Sequence, residues 1–312
     1  MGDSRSSALG AAYILASALC FGSMPIFARA AYAAGVDTQT LLLLRFSIAS
    51  ALMWIAFAAR RARLPRGRGL AMLVGMGAVG YAGQAFSYFT ALTLASAGLV
   101  ALLLYLYPAL VTLLSRAVFG YPLSALQLAA VAIALVGSVL TIGRAGDGTP
   151  LGICFGLLAA FIYAGYILTG SRLPRDVTPT ASSTVVVTSA AAVYAAVGAA
   201  RGVRWPQTAT GWGAVLAIAV VCTVLAIAFF LAGLERVGPV RASIYSTVEP
   251  AFTLVLAAVL LGERVTALRV AGGALIVGAV VLLARADLAR GGAGLAPRRR
   301  AADPGTGPPP AA

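Results

Sequence analysis

Few side chains in this sequence could do chemistry, and the first of them is an acid stranded among apolar residues. Glu249 stands beside Pro250 in "SIYSTVEPAFTLV", Ser243 to Val255. Counted from Pro239, at about 1.5 Å per helical residue, it lies about 15 Å along a helix, close to mid-bilayer. A charge at that depth costs at least about 3 kcal/mol. Such a carboxyl must face a cavity, find a partner, or take up a proton, because apolar surroundings favour the neutral form. Pro250 removes the donor that would serve the carbonyl of Ser246 and predicts a kink. A freed carbonyl beside a carboxyl makes a compact polar spot, suited to a proton or a cationic group. The structural alternative is that Glu249 bonds hydroxyls such as Ser246 or Tyr107 and simply ties two helices together. Both readings stand at this point.

Arg45 is the other deep charge, about 9 Å from the nearer end of its segment. It suits an anionic group such as a carboxylate, or a pairing with Glu249; the alternative is a long stem that snorkels to the headgroup layer. Arg241 and Arg269 lie closer to segment ends, where snorkelling is expected. Tyr81, Gln84 and Tyr88 fall on one helical face, and Tyr163, Tyr166 and Ser23 add further polar groups. Tyrosine with glutamine on one face fits an amphipathic pocket for a small polar ligand. For Tyr88, anchoring at the membrane interface competes with that role. Pro25, Pro108 and Pro250 are the expected helix breaks. Gly152, Gly156, Ala160 and Ala164, and the crowd Gly75, Gly77, Gly80 and Gly83, permit close helix contact and are read as structural.

These residues need elements to hold them, and composition says which. The chain has 312 residues, 61% hydrophobic and 10% charged, with charges clustered between long apolar runs. That is the pattern of a membrane protein. The net charge of +14 comes from arginines at segment ends, so nucleic-acid binding is not expected. There is no histidine, lysine or asparagine, which removes the usual general base and the commonest zinc ligand. Cys20, Cys154 and Cys222 lie far apart in apolar runs and read as small packing residues. No metal and no cofactor is expected. An intramembrane enzyme lacks paired acids and a G-x-S-x-G turn here; a non-transport scaffold is a further alternative. A cleaved signal peptide does not fit, because the first apolar run continues past Phe27.

At about 20 apolar residues per crossing, the sequence yields ten spans: 9–31, 39–59, 70–90, 95–118, 124–143, 151–171, 180–200, 211–233, 239–261 and 266–286. The connections "FGYPLS", "GRAGDGTP" and "LERVGP" carry turn chemistry. Residues 1–8 form a short N-terminal segment, and 287–312, rich in Arg, Gly and Pro, an expected disordered tail. An even count puts both termini on one side. Fifteen arginines fall on that side and five on the other, with Arg45, Arg241 and Arg269 left out, so both ends are expected in the cytosol. Sliding the chain by 142 residues lays Pro108 on Pro250, Gly120 on Gly262, Ser124 on Thr266 and Leu126 on Leu268. The expected fold is therefore all-α: ten transmembrane helices as two inverted five-helix repeats, 9–143 and 151–286, with a site at their seam. Tyr107 is the mate of Glu249, so only one half offers an acid.

The "CFGSMPIFAR" of the first span, the "LLLLRFSIAS" of the second, the paired proline-containing spans four and nine, and "LLGERV" together resemble the EamA-type drug/metabolite transporters from Ala8 to Ala286. The resemblance implies an exporter of amino acids, other metabolites or toxic compounds, often driven by proton exchange, in the inner membrane. On that reading Glu249 carries the proton or a cationic group, Arg45 supplies positive charge, and Gln84, Tyr88, Tyr107 and Tyr163 shape the pocket. Efflux of lipophilic cations is the alternative within transport. Expected partners are the bilayer, a small-molecule substrate, protons and a second copy of the chain as a homodimer. One departure stands out. The acid after the span-ending glycine is Glu263 in the second half and Tyr121 in the first. If Glu263 caps a loop, by pairing with Arg264 or the turn backbone, the first half is expected to close differently.

Overall fold

The computed structural model describes residues 2–120, 124–142, 148–174, 177–246 and 248–289. Tyr121, the side chain of Arg241, much of "GRAGDGTP" and the tail beyond residue 289 lie outside the described residues. The described chain is helical throughout, with a single isolated bridge between Ala95 and Gly148. The helices are α1 (Gly2–Gly22), α2 (Met24–Ala33), α3 (Thr38–Ala59), α4 (Arg68–Gly75), α5 (Ala82–Leu94), α6 (Ala97–Leu104), α7 (Tyr107–Phe119) and α8 (Ala125–Ile142). They continue as α9 (Pro150–Gly170), α10 (Pro179–Arg201), α11 (Ala209–Ala219), α12 (Ala226–Ser246), α13 (Glu249–Leu261) and α14 (Ala267–Ala289). Two wider π segments, Met76–Tyr81 and Val220–Leu225, join α4 to α5 and α11 to α12.

Local sequence accounts for the breaks. Pro25, Pro108 and Pro250 each sit in the first turn of a helix, α2, α7 and α13, where a missing N–H costs nothing. Gly120 (φ 68°) and Gly262 (φ 66°) end α7 and α13 in the left-handed region, which glycine enters without strain. Asp37, Ser96, Thr149, Thr178 and Thr208 cap the starts of α3, α6, α9, α10 and α11 with side-chain oxygens.

Three boundaries differ from the sequence reading. The first helix begins at Gly2, seven residues ahead of the expected span. The last runs to Ala289, three residues into the segment expected to be tail, since Asp287, Leu288 and Ala289 are all compatible with a helix. And "LERVGP" is no open loop: it lies within the helical segment Ala226–Ser246, although Pro239 there has no N–H to give. The chain nevertheless reverses along that run. Ser17 bonds Ala226 O, Gly10 lies against Gly233 and Arg236, and then Gly22, at the other end of α1, lies against Glu249.

Among the described residues seven helical stretches are long and apolar enough to cross a membrane: Ala8–Ala33, Thr38–Ala59, Arg68–Leu94, Ala97–Val118, Pro150–Gly170, Pro179–Arg201 and Ala209–Leu234. Shorter apolar helices are Ala125–Gly137, Glu249–Leu261 and Ala267–Leu282. Glycines let the helices approach. A Cβ on Gly156 would lie 2.9 Å from Leu103 Cδ1, one on Gly152 2.9 Å from Leu94 Cβ, and one on Gly137 2.8 Å from Gly272 O. Gly77 presses against Val186 O, and an added Cβ would also stand 2.7 Å from Ser189 Cβ. Gly77→Val should therefore destabilise the protein by about 1–3 kcal/mol through overpacking. Gly75, with nothing within 4 Å of an added Cβ, is the contrast: Gly75→Ala should stabilise by up to about 1 kcal/mol. Thermal unfolding in detergent, followed by intrinsic fluorescence, checks both directions.

Candidate functional site

Each residue is set by a helix break. Glu249 is the first residue of α13, where the helix dipole favours a carboxylate. Its position is fixed by α1: Thr253 Oγ1, one turn on, donates to Gly22 O at 2.9 Å. Tyr105 caps the end of α6, just before the break at Leu106. Its hydroxyl hydrogen is shared between Glu249 Oε2 at 2.9 Å and Ser246 O at 2.8 Å. The carbonyl orphaned by Pro250 thus finds its donor on the other half of the chain. Tyr105 fills the place that the sequence reading gave to Tyr107. Two residues before the mate of Glu249, it could have been found as the tyrosine in "YLYP" that faces the break. Ser246 contributes its carbonyl only; its hydroxyl turns back to Ala242 O at 2.9 Å.

Tyr107 opens α7 and stacks edge-on against Tyr163 of α9, ring centres 4.8 Å apart. Tyr105 lies 5.9 Å from Tyr107, Tyr163 lies 6.0 Å from Tyr166, and Tyr166 lies 6.1 Å from Tyr81. Tyr81, the last residue of the first π segment, accepts a hydrogen bond from Arg45 Nη2 at 3.2 Å. A continuous row of tyrosines therefore joins the carboxylate to the guanidinium. Glu249, Tyr107 and Tyr163 are half-buried.

Arg45, on α3, is 3% exposed. Its Nε donates to Thr223 Oγ1 at 3.0 Å, and Thr223 belongs to the second π segment and itself donates to Ile218 O at 2.9 Å. The guanidinium carbon sits 4.9 Å from the Phe46 ring centre, 5.2 Å from Phe89 and 5.9 Å from Tyr81, within cation–π range. Among the described residues it makes no ion pair, with Glu249 or any other acid, and its Nη1 donates to none of them. Its stem and head are enclosed by neighbouring helices and do not run out to the protein's surface. π segments concentrate at functional sites, and here one from each half meets the same guanidinium. Thr223 was invisible in the sequence, because a lone threonine in "VVCTVL" carries no signal.

Tyr88 is 7% exposed and lies edge-on to Phe89 at 5.7 Å, within electrostatic reach of both Arg45 and Glu249. A buried phenol is no interfacial anchor. Gln84 is 9% exposed and its amide makes no hydrogen bond to a described residue, leaving four hydrogen-bonding positions open. Ser23, before Pro25, donates to Cys20 O at 2.8 Å and lies 3.4 Å from Cys222 Sγ.

Two expectations are corrected. Arg269 does not snorkel: it is 1% exposed, donating to Ser96 Oγ at 3.2 Å and Arg264 O at 3.3 Å. Glu263 does not cap its own loop; its carboxylate accepts from Ala97 N at 2.7 Å and Gly98 N at 3.2 Å, at the start of α6. Both expectations rest on nearness to a segment end, and both side chains are held by a partner across the bundle.

The chain is 29% identical over 288 residues to the uncharacterized transporter YcbK of Bacillus subtilis (strain 168), a match covering 86% of this chain and 90% of that one. A solved crystal structure, described only as that of a protein, superposes with a TM-score of 0.63 at 23% identity, covering 91% of this chain and 98% of the other, and shows the fold alone. The model of the EamA-like transporter family matches twice, over residues 8–143 and 150–285, one match for each half of the helical array just described. This chain is a multi-pass membrane protein of the EamA-like transporter family, built from two repeats of its characteristic unit.

Proposed function

We propose that the protein is a secondary transporter that exports a small zwitterionic metabolite, such as an amino acid, in exchange for protons. The single observation that carries this is the pair of deep, opposite charges joined by one tyrosine row: Arg45 without an acid partner among the described residues, and Glu249 bonded through Tyr105. A guanidinium with an unused edge suits a carboxylate, which it grips as a planar fork. A carboxylate at mid-bilayer suits an ammonium or a proton, one displacing the other. The tyrosines between them offer faces to an apolar side chain and hydroxyls to its polar ends.

Ten spans, as two inverted halves, is the architecture this reading uses. The seven long apolar helices and the three shorter ones at 125–137, 249–261 and 267–282 support it by position. So does the repeat offset, which relates α7 to α13 by 142 residues and the two π segments by 144. The arginine bias supports cytosolic termini and an inner-membrane location. Alternating access then follows by rocking one half against the other around the seam. Efflux of lipophilic cations is the weaker reading, because an unpaired buried guanidinium on the same tyrosine row repels them.

Comparing extracellular metabolites between a deletion strain and an overexpressing strain tests this reading. Zwitterionic compounds should accumulate outside the overexpressing cells. Protection against quaternary ammonium compounds, with no change in the zwitterion pool, would reverse the choice.

A further inference from the structure

The end of the bundle remote from the start of α1 carries a cluster of charge that the site above does not use. Glu263 follows the left-handed cap of α13, and its carboxylate accepts from the backbone N–H groups of Ala97 and Gly98. It is only 10% accessible, with Arg29 Nη2 at 3.9 Å and Arg269 Nη1 at 4.0 Å. Arg269, on α14, holds Ser96 Oγ, and Ser96 is the N-cap of α6. Gly98 is seated so closely that a Cβ would stand 3.1 Å from Leu254 Cδ1 and 3.4 Å from Glu263 Oε2. A helix N-terminus favours an anion, and charge-assisted hydrogen bonds are the strong ones. The first family repeat is thus tied to the second at this end by one acid.

The opposite end is built otherwise. The 142-residue shift that superposes the proline helices lays Glu263 on Tyr121 and Arg269 on Gln127, so neither charge recurs. Gln127 caps its own helix, its Oε1 accepting from Ser124 N at 3.0 Å and Ser124 Oγ at 3.2 Å.

We propose that Glu263 is a gating residue of the transport cycle, latching the two halves shut at the outer face. Opening outward requires its carboxylate to release the start of α6. Among the described residues no acid ties the two halves at the other face, and on that asymmetry the resting protein favours closure outside and access from the cytosol. This rests on the alternating-access reading above and adds to it which face is held and by what.

A reporter cysteine placed in the tyrosine row, Tyr107→Cys, in the full-length chain with Cys20, Cys154 and Cys222 replaced by serine, reads the latch. A membrane-impermeant maleimide is applied to the outside of intact cells, and separately to inside-out vesicles. Glu263→Gln keeps an acceptor but removes the charge, and should raise outside labelling about tenfold, since losing one charge-assisted hydrogen bond shifts an equilibrium by about a decade. Vesicle labelling should fall in step. Ser96→Ala leaves the carboxylate in place but takes the hydroxyl from Arg269 and the cap from Leu99 N; it should move labelling the same way by less, and serves if the first variant does not fold. Outside labelling unchanged in both variants, while the reporter still responds to an imposed pH gradient, overturns the latch and leaves alternating access standing. A reporter that ignores the gradient from both faces, in a parent chain that still shows pH-driven flux, overturns alternating access itself.

Discussion

Replacing Glu249 with glutamine should abolish proton-driven transport and leave the protein folded. Glutamine keeps a carbonyl oxygen where Glu249 Oε2 accepts from Tyr105 Oη, so that bond at 2.9 Å and the neighbouring one to Ser246 O have no reason to break. The cost to folding should stay within about 1 kcal/mol, the worth of one hydrogen bond. Removing an ionisable group from the middle of an apolar span relieves desolvation as well. What glutamine cannot do is bind and release a proton. In proteoliposomes loaded with an amino-acid mixture, an imposed pH gradient should drive flux through the native protein and none above background through Glu249→Gln. Passive counterflow at equal pH should survive if the amide still accepts from the substrate's ammonium. Tyr105→Phe is the informative companion: it leaves the acid but strands the Ser246 carbonyl, and should cost about 1–3 kcal/mol of stability. Loss of the pH-driven component only in the glutamine variant separates proton carriage from helix tying.

The second large effect belongs to Arg45. Arg45→Met is close in volume, removes a buried charge without an acid partner among the described residues, and should not destabilise the fold, since apolar replacement of a buried charge is often neutral or better. Binding of a carboxylate-bearing substrate should fall by about 2–5 kcal/mol, the usual cost of stripping one partner from a buried charged pair. That is a weakening of between about thirty- and several-thousand-fold. Arg45→Lys should not rescue it. The Nε bond to Thr223 and the Nη2 bond to Tyr81 use two corners of a planar fork, and an ammonium has a single point to offer. Equilibrium binding in detergent, measured by calorimetry with the zwitterion identified from the metabolite comparison, checks both variants. Equal affinity in native protein and Arg45→Met would remove Arg45 from the site.

Much of this was legible in the sequence because apolar length and proline position are local signals. The breaks at Pro25, Pro108 and Pro250 and the caps at Gly120 and Gly262 each depend on a few neighbouring residues. So did the two-unit organisation, since "YPALVTLLSRAVFG" and "EPAFTLVLAAVLLG" lie at one offset. The π segments were not legible: "MGAVGY" and "VVCTVL" share no residue pattern, and one extra residue in a helical turn leaves apolar periodicity almost intact. The partners of charges were the other gap. Thr223 lies 178 positions from Arg45, Glu263 lies 166 from Ala97, and Arg269 lies 173 from Ser96. Depth along a span can be counted in a sequence, whereas the direction a side chain takes at a span end depends on what another helix presents there. That is why Arg269 is expected at the headgroup layer and Glu263 in its own loop, while each meets a partner on another helix.

The account turns on Glu249 being loaded by a proton in one half of the cycle and by substrate in the other. Difference infrared spectroscopy of the reconstituted protein reads that directly, through the carbonyl stretch of a protonated carboxylic acid. Adding the substrate at constant pH should remove one such band from the native protein, and the band should be missing from Glu249→Gln. A substrate-induced change that is identical in the two proteins, or no change in either while both bind substrate, would contradict it.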